Sequence, residues 1–154
     1  MMGVVERIWR KRAKRGPMDR LEAVRMDPRS GIEGNADCYR KRQVTILSLE
    51  SWRDVERELG REVDPATRRA NLLVSGIDLV DSRGKTLQVG DVHIRIWGET
   101  RPCRQMEEAC DGLQAALDPE WRAGAHGEVV VGGEVRVGDI AVLRHQSPVE
   151  AGAA

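Results

Sequence analysis

A chain of 154 residues, 40% hydrophobic and 32% charged, has the length of one domain and can bury a core without disulfides or structural metal. No stretch approaches the roughly 18 apolar residues that span a bilayer, and the start Met1-Met2-Gly3-Val4-Val5-Glu6-Arg7 lacks the apolar run and cleavage site of a secretory signal; a soluble, cytoplasmic protein with no membrane partner is expected. Zero net charge, four Trp, one Tyr, no Phe and no interleaving of aromatic with basic residues argue against nucleic-acid binding.

Short runs rich in valine and isoleucine, punctuated by glycine, give a mainly β pattern. In chain order the predicted strands are Gly3 to Trp9, Arg20 to Arg25, Val44 to Leu49, Asn71 to Val74, Val92 to Trp97, Glu128 to Val131 and Ile140 to Arg144. The run from Gly127 to Leu143 reads as two strands turning at Gly132-Gly133. Alternation in His93-Ile94-Arg95-Ile96-Trp97 implies one buried and one wet face, and many short strands with glycine corners favour closure into a barrel. Between the strands, Trp52, Val55 and Leu59 recur at helical spacing ahead of Gly60, predicting a helix from about Glu50 to Leu59. Asp64-Pro65 opens a short turn through Arg68, and a second helix is predicted from about Arg104 to Leu117. Residues 1–19 form an N-terminal strand and basic loop belonging to the barrel, 20–145 the core, and 146–154 a frayed tail.

The charge is unevenly spread. Residues 1–42 hold 12 Lys+Arg against 6 Asp+Glu, densest in Arg10-Lys11-Arg12-Ala13-Lys14-Arg15, which can attract phosphate groups or serve as a solvated loop. Three cysteines without Cys-x-x-Cys spacing suggest neither a disulfide framework nor a zinc ribbon. Cys110 falls on the apolar face of the second helix and reads as core; Cys38 lies in a polar loop. Cys103 follows a Gly-x-x-x-Pro turn at the helix start, where amide donors and the flanking Arg101 and Arg104 favour an anion. A thiolate there suits soft-metal binding or sulfur transfer; a small packed hydrophobe is the other reading. In Arg68-Arg69-Ala70-Asn71, two arginines and an asparagine at a strand start can present donors to a phosphate or a pterin-like ring, and ordinary surface arginines fit the same pattern. His126, in Gly124-Ala125-His126-Gly127, reads as a turn histidine, and no serine, histidine and acid arrangement resembles a hydrolase motif.

Five ordered segments together resemble the MOSC family, named for the C-terminal domain of molybdenum-cofactor sulfurase: Gly31-Ile32-Glu33-Gly34-Asn35, Arg42-Gln43-Val44-Thr45, Arg69-Ala70-Asn71-Leu72-Leu73-Val74, Gly98-Glu99-Thr100-Arg101-Pro102-Cys103, and Gly127-Glu128-Val129-Val130 through Gly138-Asp139. The likeness covers roughly residues 20 to 144. It implies a barrel-like β fold with two or three short helices, and makes Cys103 the sulfur carrier or molybdenum ligand. It further implies contacts from Arg69 and Asn71 to the pterin or phosphate of a molybdenum cofactor (molybdopterin), with Arg42, Asp37, Arg101 and Arg104 as further contacts. Many members carry Gly-Asp and a nearby histidine in the first loop, where this chain has Gly34-Asn35 and Asp37-Cys38. Two mechanisms follow from the resemblance: sulfur carried as a persulfide on Cys103, or molybdenum-dependent reduction of N-oxygenated compounds. Pyridoxal phosphate binding is an association of the family as a whole. With no desulfurase, Fe-S or flavin motif visible, either mechanism requires a partner, a sulfur donor such as a cysteine desulfurase or an electron-donor protein. A non-catalytic module binding an anionic ligand is the alternative.

Overall fold

A computed structural model describes residues 2–36 and 41–145. Its strands are β1 (Met2–Lys11), β2 (Met18–Leu21), β3 (Ala23–Asp27), β4 (Gly31–Ile32), β5 (Val44–Ser48), β6 (Leu72–Ser75), β7 (Thr86–Val89), β8 (Val92–Glu99), β9 (Ala125–Val131), β10 (Gly133–Arg136) and β11 (Ile140–Arg144). The helices are α1 (Leu49–Leu59), α2 (Arg104–Ala109) and α3 (Leu113–Leu117), with one turn of 3₁₀ helix at Pro65–Arg68. Among the described residues, no helix is long and apolar enough to cross a membrane.

Seven strands close a barrel in the order β11-β7-β8-β9-β5-β6-β1, the ring being completed where β1 pairs β11, and β2 hangs from β1 as a hairpin partner. A small sheet of β10, β3 and β4 packs Val24, Met26, Ile32 and Val135 into the barrel core. The other face of the wall carries a second apolar cluster. Trp9, Leu47 and Leu73 point outward from β1, β5 and β6 onto Trp52 and Val55 of α1, Met106 of α2, and Leu113 and Leu117 of α3.

The pairing of β5 with β6 is parallel, so the chain must cross over between them, and α1 with the 3₁₀ turn makes that crossing. Both have local sequence causes. The Ser48 hydroxyl accepts from the Ser51 amide to start α1, and Gly60 ends it in the left-handed conformation. The Asp64 carboxylate accepts from the Ala66 amide, Pro65 takes the first helical position, and the turn ends at Arg69, which is itself left-handed.

Three expectations are corrected. Gly132-Gly133 does not close a hairpin: Gly132 lies so close to the Met26 carbonyl that a Cβ would sit 2.8 Å from its oxygen, and the chain leaves the barrel there for β10, which pairs with β3. The single strand expected over Arg20 to Arg25 is two, β2 and β3, separated at Glu22, whose carbonyl accepts from Val137. The single helix expected over Arg104 to Leu117 is broken at Gly112, whose φ of 85° is left-handed, and the Glu107 carboxylate caps the new start by accepting from the Gly112 and Gln114 amides. Strands β4 and β7 lie outside the predicted set.

Candidate functional site

On the outer face of the barrel, five chain segments meet around a cavity of about 440 Å³. They are the end of β1 and the basic loop, the loop after β4, the entry to β5, the 3₁₀ turn leading to β6, and the link from β8 to α2. Its volume falls in the range of small-molecule and cofactor sites.

The floor is built by Asn71. Its Oδ1 accepts from the Thr45 amide and hydroxyl, both at 3.0 Å, while its Nδ2 donates to the Trp9 carbonyl and to Asn35 Oδ1, both at 3.2 Å. Asn35 Oδ1 also accepts from the Lys11 amide at 2.7 Å. Through both amide protons and Oδ1, Asn71 therefore ties β1, the loop after β4 and β5 together. The residue lines the cavity as its brace.

The walls are cationic. Lys11, Lys14, Arg42, Arg68, Arg69 and Arg101 all line the cavity, and no carboxylate among the described residues does. Arg101 is exposed and ion-paired with Glu99 and Asp118, at 3.4 and 3.1 Å. Arg69 donates to the Gly16 carbonyl at 2.7 Å, pinning the basic loop. Arg68 differs from both: it is buried, its Nε donates to the Ala123 carbonyl at 2.7 Å, and its Nη2 is buried without a hydrogen-bond partner. Burial pushes its pKa down to about 10; the Cys103 sulfur opposes that effect and Arg42 adds to it. Thr100, also buried, donates its amide to the Gly124 carbonyl at 2.9 Å and leaves its hydroxyl without a partner. The strip Ala123-Gly124 thus anchors both groups that lack a partner.

Cys103 is exposed and lines the same cavity. Its carbonyl accepts from the Met106 amide at 2.9 Å to start α2, and its side chain makes no capping bond, leaving the thiol free to face the opening. Arg104 stands apart: its side chain is 90% exposed, pairs loosely with Glu108 at 3.8 Å, and does not line the cavity. Asp37 and Cys38 lie outside the described residues. Cys110 is half-buried against the helical cluster, with Arg61 Nη2 donating to its sulfur at 3.0 Å. His126, beside Thr45 and Gly98 in the register of β9, lies near Arg42 and Arg83.

The structure therefore brings Cys103, Arg42, Arg69, Asn71 and Arg101 to one cavity, joins to them Arg68, Lys11 and Lys14, which the sequence offered as phosphate donors but the family resemblance did not include, and adds Thr100. Arg68 carried a local signal. It closes a 3₁₀ turn immediately before the left-handed Arg69, so consecutive arginines leave the backbone in different directions.

The family model of the MOSC domain matches residues 25–142. Among solved structures, the YuaD protein of Bacillus subtilis is similar with a TM-score of 0.81 at 21% identity, covering 95% of this chain and 98% of that one. YiiM from Geobacillus stearothermophilus gives a TM-score of 0.72 at 17% identity, covering 93% and 75%; YiiM from Escherichia coli gives 0.72 at 16%, covering 96% and 71%. At such identities the likeness is one of fold. A search of the curated proteins found no match. With a family match over most of its length and a closed β-barrel that carries the cysteine and its cationic cavity, the chain belongs to the MOSC domain family.

Proposed function

We propose that this protein binds the molybdenum cofactor in the cationic cavity and uses Cys103 as its working sulfur. The observation that carries the reading is the opening of an exposed thiol onto a cavity that no carboxylate lines among the described residues and that holds a buried arginine whose Nη2 has no hydrogen-bond partner. The residues suit the group. A pterin phosphate needs cationic and neutral donors, which Arg68, Thr100, Arg42, Lys11 and Lys14 supply, and a soft metal accepts a thiolate.

The exposure of Cys103 favours sulfur transfer. Its thiolate attacks the outer sulfur of a persulfide on a donor such as a cysteine desulfurase; the new S–S bond forms as the donor's S–S bond breaks, and the donor cysteine leaves as a thiolate. The step involves no net oxidation. Nearby positive charge at Arg68 and Arg101 stabilises the persulfide anion. Direct ligation of molybdenum by Cys103 is the second reading, favoured by its position on the wall of the same cavity. When bound, the cofactor would supply two-electron redox chemistry for N-oxygenated substrates, with electrons from a partner protein. In either case Arg68 and Thr100 would bind, and Asn71 would keep the floor rigid.

The test is anaerobic purification of the wild type and Cys103→Ser, followed by assay of molybdenum, of fluorescent oxidised pterin and of sulfur released by cyanide. The expected result is pterin in both proteins, with sulfane sulfur lost at least tenfold in the variant. Metal lost in place of sulfur supports ligation. Absence of metal, pterin and sulfane sulfur after loading overturns both and leaves a non-catalytic binder of anions.

A further inference from the structure

Helices cover the barrel wall over only part of β1. Trp9, near the end of that strand, is buried in the cluster that contains α1, whereas the outer face at the start of the strand is open. Among the described residues four large apolar side chains are exposed, and three of them meet there: Met2 at 67%, Val4 at 37% and Ile140 at 55%. Strand register explains the meeting. Met2 stands opposite Val142 and Val4 opposite Ile140 across the seam between β1 and β11, while Val5, Ala141 and Leu143, at alternate positions, face the core. Met2, Val4, Ile140 and the half-buried Val142 therefore form one apolar patch on the outside of the seam.

The patch is bounded by opposite charges. Arg144 lies two residues beyond Val142 at one end, its Nε donating to Gln88 at 3.0 Å; Glu6 lies two residues beyond Val4 at the other, accepting from the Ser75 hydroxyl at 2.7 Å. Gln88 and Ser75 are the cross-strand neighbours of Val142 and Val4, which fixes both charges on the face of the patch. Neither charge has an ionic partner among the described residues. At about 3.4 Å per residue the two stand about 20 Å apart, too far to meet within one chain.

We infer that this face is the contact between two copies of the chain, related by a two-fold axis that lies in the interface and bisects the line from Arg144 to Glu6. Such an axis crosses the centre of the apolar patch, reverses the strands of one copy against those of the other, and sets Arg144 of each copy over the partner's Glu6. An axis along the strands would bring Arg144 level with its own copy. An anionic membrane surface would be repelled by Glu6. The contact is small: four apolar side chains per copy fall short of the roughly 20–30 residues a side in a standard interface, so a Kd on the order of 10–100 μM is expected. Lys11, which lines the cavity, is at the opposite end of β1 from Met2, so pairing leaves the cavity open.

The test is sedimentation velocity of the full chain from about 1 to 500 μM. The wild type is expected to pass from monomer to dimer, with a Tm that rises with concentration. Ile140→Glu, at an exposed site, is expected to stay folded and to weaken dimerisation at least about 30-fold, because it places two carboxylates at the apolar centre. Glu6→Arg and Arg144→Glu each set like charges together twice and should weaken it about 10-fold. The double variant Glu6→Arg/Arg144→Glu should recover it, and that rescue is specific to contact between copies.

A wild type that stays monomeric throughout overturns the inference. Dimers that appear only after removal of residues 146–154 overturn it as well, giving the face to the end of the chain itself, and uptake by anionic vesicles without dimers gives it to a membrane surface instead. A dimer that persists in folded Ile140→Glu places the contact elsewhere and equally overturns the inference. Should Ile140→Glu not fold, the charge exchange decides: a double variant no better than either single one overturns the two-fold arrangement.

Discussion

His126 shows how the cationic surroundings of the cavity act on a neighbouring side chain. Its Nδ1 is buried without a partner, and its pKa is held below the usual 6.5 by burial first and by Arg42 and Arg83 next. The sign of the consequence follows from linkage. In the unfolded chain His126 takes a proton near pH 6.5, whereas the folded protein resists protonation until a lower pH. Its contribution to stability is therefore complete above pH 6.5 and is lost as pH falls from 6.5 towards the folded-state value. Thermal scans from pH 7.5 down to pH 5 should show a falling Tm, and His126→Gln should flatten that fall. Parallel curves for the two proteins would show that neither burial nor Arg42 and Arg83 hold the ring's pKa down. Arg68 and Arg69 make the complementary point about legibility. As letters they are equivalent, and only the left-handed turn at Arg69 decides that Arg68 is buried against Ala123 while Arg69 reaches the Gly16 carbonyl. Motif reading took Arg69 because it matched the motif, and it had no access to side-chain direction.

At the scale of elements, the strip entering β9 links the barrel wall to the cavity, and Gly124 is where that link is most sensitive. A Cβ at Gly124 collides with the Ile46 carbonyl oxygen at 2.1 Å, and the φ of 102° is unfavourable for any L side chain. Gly84 is a natural comparison, since its φ is 84° but nothing lies within 4 Å of its Cβ position. Gly124→Ala should cost about 2–4 kcal/mol by combining backbone strain with overpacking. Gly84→Ala should cost only the strain, about 1 kcal/mol. Urea denaturation of the two variants separates these contributions, and equal losses would mean that the contact at Ile46 relaxes freely. Long alternating or β-branched runs such as Val44–Ser48 and Val92–Glu99 were legible because pattern and burial agree along them. Thr86–Val89 was not, because four residues carry too little periodicity, and it becomes a strand through pairing on both sides with β8 and β11. The break between α2 and α3 was hidden by an apolar face that continues across Gly112 and packs into one cluster.

For the whole molecule, the site is a product of topology. Cys103, Arg42, Lys11 and the segment from Arg68 to Asn71 come from separate parts of the chain, and the parallel crossover from β5 to β6 together with ring closure brings them together. Sequence patterns foretold a barrel but could not order its strands, because pairings such as β1 with β11 join opposite ends of the chain. That seam also sets how much of the chain the fold requires. The family match begins at residue 25, yet β1 pairs with β2, β6 and β11, and its removal would open the ring and expose two unpaired edges. Val5, Ile8 and Trp9 are almost wholly buried, each burial contributing about 2–3 kcal/mol. Their combined loss, about 6–9 kcal/mol, matches the entire stability of an ordinary domain, about 5–15 kcal/mol. The Trp9 carbonyl is also one of the two acceptors for Asn71 Nδ2, so the cavity floor would lose its brace together with the barrel seam. Deletion of residues 1–11 should therefore abolish cooperative melting and near-ultraviolet dichroism rather than yield a smaller folded domain. Ile8→Ala should lower stability by about 2–5 kcal/mol while leaving the transition cooperative. A truncated protein that melts cooperatively near the wild-type temperature would show that the ring closes without β1.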